Sequence, residues 1–137
     1  MKPLLLGMAR SDGKDGPALR PSGNGSAADR LLALSGMDGD EFLATFRRRN
    51  MIKGDYWTPQ KAKIQGYRLR NELEGRVIVL GKAVWVALWL PRSAEFFSYV
   101  HTGKADFVLV PHPSGRNIIL NDRGMRQKMR AVLQGTR

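Results

Sequence analysis

Arg76-Val77-Ile78-Val79-Leu80-Gly81 sets four apolar residues in a row, three of them β-branched, and closes on glycine. A central strand of a parallel sheet, covered by helices on both sides, has this composition. Leu4-Leu5-Leu6-Gly7 and Phe107-Val108-Leu109-Val110 share the pattern, and the end of Arg47-Arg48-Arg49-Asn50-Met51-Ile52 is a shorter candidate. Helical stretches separate these runs. Ser26 can cap a helix running through Leu31, Leu32 and Leu34 to a stop at Gly36, and Asp38-Gly39-Asp40 starts a short helix over 41–46. Thr58-Pro59 pairs a cap with proline in the first turn, for a helix to about Glu74 that Gly75 ends. A helix over 82–89 stops before Pro91, residues 93–100 read as short helical or irregular, and Asn121 or Asp122 caps a last helix to about Gln134.

Strands alternating with helices predict an α/β fold: a three-layer sandwich with a central four-stranded parallel sheet flanked by helices, in one domain over 1–137. Ligands of such sheets bind beyond the carboxyl ends of the strands. Loops 7–25, 50–57 and 111–120 fall there. Residues 10–25 hold four glycines and two prolines, and long loops of that kind are usually functional. Pro111-His112-Pro113-Ser114-Gly115-Arg116-Asn117 is a rigid, histidine-bearing turn directly after a buried strand. With the glycine turn at Gly7 it converges on one crevice.

The 23 Lys and Arg exceed the 12 Asp and Glu by 11 charges, which favours a polyanionic partner, DNA by default, over a merely well-solvated surface. Absence of cysteine excludes disulfides and thiolate metal sites, and two histidines are too few for a histidine-rich one. No apolar run approaches the ~20 residues of a membrane span, and Leu4–Leu6 is too short for a signal-peptide core. The expectation is a cytoplasmic monomer with no membrane, metal or cofactor requirement.

Leu4-Leu5-Leu6-Gly7, Gly25-Ser26-Ala27-Ala28-Asp29-Arg30-Leu31, Asn50, Val79-Leu80-Gly81-Lys82-Ala83-Val84 and Pro111-His112-Pro113-Ser114-Gly115 occur in the order and spacing of one family. In these pieces, over nearly its whole length, the chain resembles the uracil-DNA glycosylase superfamily, most of all small bacterial and phage members with a His-Pro-Ser-Gly turn. The resemblance implies an enzyme that flips a nucleotide out of DNA and hydrolyses its N-glycosidic bond, leaving an abasic site. It implies that His112 donates to the base O2 as negative charge develops, where the bland alternative is a histidine capping a strand end. Asn50 would read the base edge with its paired donor and acceptor, or else be a turn asparagine. The departure lies in Gly7-Met8-Ala9-Arg10-Ser11, where the family carries an acid or amide. Asp12 and Asp15 follow, each either a water-orienting carboxylate or a solvated turn residue.

Met8, Ala9 and Leu19 would line the base pocket. The small residues Gly13, Gly16, Pro17 and Ala18 suggest room for a modified pyrimidine such as glucosylated hydroxymethylcytosine in phage DNA, as well as uracil. The role would then be host defence in a bacterial, phage-infected cell. Ser114, Gly115, Arg116 and Asn117 would meet the duplex, Ile118 would plug it, and Lys82, Arg10, Arg20 and Lys53 would form a basic rim. Tyr56 and Trp57 read as core more than as stacking platforms, Trp85 and Trp89 as packed, and Arg123, Arg126, Lys128 and Arg130 as a solvated face. Two rival readings are a non-catalytic DNA-binding relative and a nucleotide-handling α/β protein.

Overall fold

A computed structural model describes residues 1–10, 13, 16, 18–21, 23, 26–114 and 118–135. In chain order the elements are β1 (Leu4–Gly7), α1 (Ala27–Ser35), α2 (Gly39–Thr45), β2 (Arg47–Asn50), α3 (Pro59–Glu72), β3 (Gly75–Leu80), α4 (Lys82–Ala87), β4 (Tyr99–Thr102), β5 (Ala105–Val110), a 3-10 turn (Ile118–Asn121) and α5 (Arg123–Leu133). The strands form one sheet in the order β2-β1-β3-β5-β4. Four run parallel, with Gly7 opposite Asn50, Leu6 opposite Val79 and Leu80 opposite Val110.

The inner strands are apolar over Leu4–Leu6, Val77–Leu80 and Phe107–Val110 because both of their faces are covered there. Pleating sends Leu4, Leu6, Val77, Val79, Phe107 and Leu109 into a core with α3 and α4, built on Leu69, Trp85 and Leu88. The alternate residues Leu5, Ile78, Leu80, Val108 and Val110 join Leu31, Phe42, Met129 and Leu133 from α1, α2 and α5. Helix starts follow the sequence. Ser26 accepts from Asp29 N in a full capping box, Asp38 from Glu41 N, Thr58 from Lys61 N and Asp122 from Met125 N. Gly36 ends α1 at φ 73°. Among the described residues no helix is long and apolar enough to cross a membrane.

The expected four-stranded parallel sheet is corrected to a five-stranded mixed one. Tyr99–Thr102, part of which was expected in the irregular stretch 93–100, pairs antiparallel with β5. The link is the two-residue turn Gly103-Lys104, with Gly103 at φ 59°. A glycine of positive φ at the first of two turn positions suits the right-handed twist of a hairpin. The helix expected over 82–89 ends at Ala87 instead. Trp89 adopts φ 60°, which turns the chain outward. Trp85 is fully buried, while Trp89 stays 53% exposed and lies edge-on to Tyr67, its indole N–H donating to Lys63 O. Two of the exposed α5 cations are engaged: Arg126 donates to Leu120 O and Asn121 O, and Arg130 to Leu34 O. With Gln134 donating to Ser35 O, α5 satisfies carbonyls at the end of α1.

Helices α3 and α4 approach so closely at Gly66 that a Cβ there would lie 1.8 Å from Ala87 O. Helix propensity favours Gly66→Ala by about 1 kcal/mol. The clash is with backbone, so relief requires parting the helices, and overpacking of this kind costs about 1–3 kcal/mol or more. The expected outcome in urea unfolding is a net loss of stability for Gly66→Ala. Gly39→Ala, where no atom lies within 4 Å, should be neutral or slightly stabilising.

Candidate functional site

Strand order reverses across β1 and β3: β1 leads to β2 on one side, β3 to β4 and β5 on the other. A crevice opens beyond the carboxyl ends of strands at such a point. There the structure has a cleft of about 800 Å³ lined by Gly7, Met8, Ala9, Arg10, Leu19, Arg20, Ser26, Ala27, Ala28, Asn50, Tyr56, Trp57, Leu80 and His112. That volume is near the top of the ~300–1,000 Å³ usual for ligand sites.

Register places Asn50 beside Gly7, and the pairing runs on through Met51 N to Gly7 O (2.9 Å) and Ile52 N to Met8 O (3.0 Å). Asn50 is 8% exposed, one of two buried polar residues among those described. A Cβ on residue 7 would stand 2.8 Å from Asn50 Oδ1. A side chain at position 7 would have to displace the Asn50 amide, which lies across the glycine. That contact joins the Leu4–Gly7 and Asn50 motifs physically.

His112 is fixed from two sides. Gly81, at φ 96°, donates its N–H to Val110 O at 2.9 Å, and a Cβ at 81 would meet His112 Cβ at 3.1 Å. Ser114 N donates to His112 Nδ1 at 3.1 Å. An accepting Nδ1 carries no proton, so the neutral ring holds its proton on Nε2. Burial also pushes the imidazole pKa down, favouring the neutral form. The Ser114 amide is committed to this bond, and its carbonyl accepts from Arg30 on α1. Thus α1, whose Ser26, Ala27 and Ala28 form one wall, also braces the histidine turn.

Tyr56 departs from the core reading. It is 60% exposed, and a Cβ on Gly13 would fall 2.7 Å from its ring, so Gly13 lies directly against it. Trp57 is half-buried, packed on the α3–α4 core while also lining the cleft. The sequence signal for both was their place in a strand-end loop. Leu19 lines the cleft at φ 51°.

Seven of the expected site residues meet in the cleft: Met8, Ala9, Arg10, Leu19, Arg20, Asn50 and His112. Lys82 lies apart, its ammonium 5.6 Å from the Phe96 ring centre, and Lys53 lines a neighbouring hollow. Asp12, Asp15, Gly115, Arg116 and Asn117 lie outside the described residues. No carboxylate among the described residues lines the cleft. Asp55, in the next loop, is bonded to Lys61 and to the Tyr56 N–H, which hold its carboxyl below the usual range. It is engaged as an ion pair.

The arrangement offers an amide donor and acceptor on one wall, an imidazole N–H donor on another, and apolar surface between. It suits a flat heterocycle with polar edges. No family model matches the chain, and no curated protein matches it.

Two outcomes are expected. Gly7→Ala should shift the Asn50 side-chain amide resonances and destabilise the fold by about 1–3 kcal/mol. His112 should titrate below its ordinary 6.5 when followed by NMR. The unfolded chain then takes up this proton first, so stability is complete above 6.5 and falls as pH drops below it. His112→Ala should flatten that acid-side loss.

Proposed function

We propose that the protein is a DNA glycosylase of the uracil-DNA glycosylase type, acting on uracil or a C5-modified pyrimidine. The observation that carries this reading is the Ser114 N–H donated to His112 Nδ1, which leaves Nε2 as the donor of a ring lining the cleft. The net charge of +11 supports a polyanionic substrate.

A flipped base enters the cleft with its polar edge on the Asn50 amide. The bond between the base nitrogen and C1′ breaks, its electron pair stays with the base, and the sugar becomes oxocarbenium-like. Negative charge grows on the base O2 and is met by the Nε2–H of neutral His112. Water adds to C1′, and its proton passes to a carboxylate. Asp12 and Asp15 are the proposed carriers of that role, since the described lining supplies none. A donor aimed at developing charge is worth about 10²–10³ in rate.

The cleft, near the upper end of the usual size range, is roomier than a bare pyrimidine requires. Leu19 is an aliphatic lining residue and Gly13 faces Tyr56 without a side chain between. Both features favour tolerance of a C5 substituent, including the glucosylated hydroxymethylcytosine of phage DNA. The carboxylate-free lining also favours a second reading, a DNA-binding relative without catalysis.

Plasmid, uracil-containing and modified phage DNA, assayed for alkali-cleavable abasic sites, separate the two. Wild type should generate abasic sites in at least one DNA, with His112→Ala slower by about 10²–10³. Asn50→Ala should lose selectivity among the bases. Asp12→Ala and Asp15→Ala, compared in single turnover, should show which carboxylate handles water. No abasic sites above the His112→Ala background in any DNA would remove the enzyme reading and leave the binding one.

A further inference from the structure

Edge strand β2 carries three consecutive arginines. Arg47 is accounted for, donating to Lys2 O and Glu74 O. Arg48 and Arg49 are not. The Nε atom of each is buried without a hydrogen-bond partner. Both line a hollow of about 220 Å³ together with Arg10, Gly16, Ala18, Asn50, Ile52 and Lys53. No Asp or Glu among the described residues reaches it. Leaving buried donors of a charged group unsatisfied is costly. An anion reaching the Arg48 and Arg49 guanidinium groups relieves that cost.

Size and place limit which anion. The volume is below the ~300 Å³ at which small-molecule pockets begin, so the hollow takes a group rather than a whole ligand. Guanidinium forks match phosphate oxygens two at a time. The hollow shares Asn50 and Arg10 with the main cleft, so it lies one step from the place where a base would sit. An edge strand leaves it open to a polymer passing by.

We propose that Arg48 and Arg49, with Lys53, hold a backbone phosphodiester of the nucleic-acid strand whose base enters the cleft. This inference rests on the preceding reading only for nucleic acid as ligand, and not for bond cleavage. The hollow sets where the strand runs, and the cleft sets which base it delivers.

The test is fluorescence-anisotropy binding of a labelled oligonucleotide from about 50 to 200 mM salt, a range over which phosphate contacts declare themselves. Wild type is compared with the Arg48→Gln/Arg49→Gln double variant and with Arg68→Gln, a change at an exposed α3 position. The double variant should bind about tenfold more weakly and lose roughly one phosphate from the salt slope, about 0.7–0.9 in log K per log salt. Arg68→Gln should match wild type. Arg48→Lys/Arg49→Lys should keep the slope and bind less tightly, because charge remains and the fork is lost.

Melting temperature separates binding from structure. Removing unpartnered buried donors should leave it unchanged or raise it, whereas a structural role would lower it. An unchanged slope in a folded double variant overturns the proposal. A nucleoside monophosphate that binds in an Arg48- and Arg49-dependent way, while the oligonucleotide does not, overturns the backbone assignment. The abasic-site assay on the same proteins keeps the two readings apart. An altered slope without abasic sites preserves the hollow and removes the glycosylase, and abasic sites with an unaltered slope do the reverse.

Discussion

The absence of a Cβ at Gly81 is the constraint on which the site depends. At φ 96° its N–H reaches Val110 O, tying the end of β3 to the end of β5, while the empty side leaves room for His112. Gly7 does the same for β1 and β2, leaving space for the Asn50 amide. Two missing side chains thus let two polar ones lie flat against the sheet edge. Ser114 N–H and the Arg30 contact then hold the histidine turn from outside. The geometry is set by backbone, which is stiffer than any network of surface side chains.

The inner strands could be read because burial on both faces writes itself into composition. Leu4–Leu6, Val77–Leu80 and Phe107–Val110 are apolar at every position for that reason. Helix starts were readable through Ser26, Asp38, Thr58 and Asp122, whose side chains meet backbone donors nearby in sequence. β4 was missed because an edge strand need not be apolar. Its signal was the aromatic and β-branched run Tyr99-Val100-His101-Thr102 before Gly103. Trp89 was misjudged because Trp85 at i−4 suggested a shared helical face, and only the left-handed turn at Trp89 removes it from that face. For the site, Gly7, Asn50 and His112 were found through strand-end position. Tyr56 shared that strand-end position but was read as core, since its residue type alone does not separate an aromatic lining a cleft from one in a core.

Charge is distributed by task. On α5, Arg126 bonds carbonyls of the preceding turn and Arg130 ties the helix to α1. On β2, Arg48 and Arg49 stand with buried unsatisfied nitrogens beside the cleft. The excess of positive charge alone does not distinguish these roles. Hydrogen-bond accounting does. Charged residues on β2 also discourage another sheet from adding to that edge, so one set of side chains opposes aggregation while remaining open to an anion.

The strand order has a consequence for synthesis. Gly7 is made first, yet its partner Asn50 and the Val79 beside Leu6 emerge much later, and His112 later still. The strand that becomes second in the sheet waits, apolar, for β2 on one side and, past the middle of the chain, for β3 on the other. Long-range parallel pairing is slow for this reason and leaves the nascent segment open to wrong partners. Because His112 follows β5, the cleft has all its walls only once β5 pairs with β3. A growing or partly unfolded chain therefore carries the Asn50 amide without the His112 imidazole, and the cleft lacks one of its walls until β5 is made.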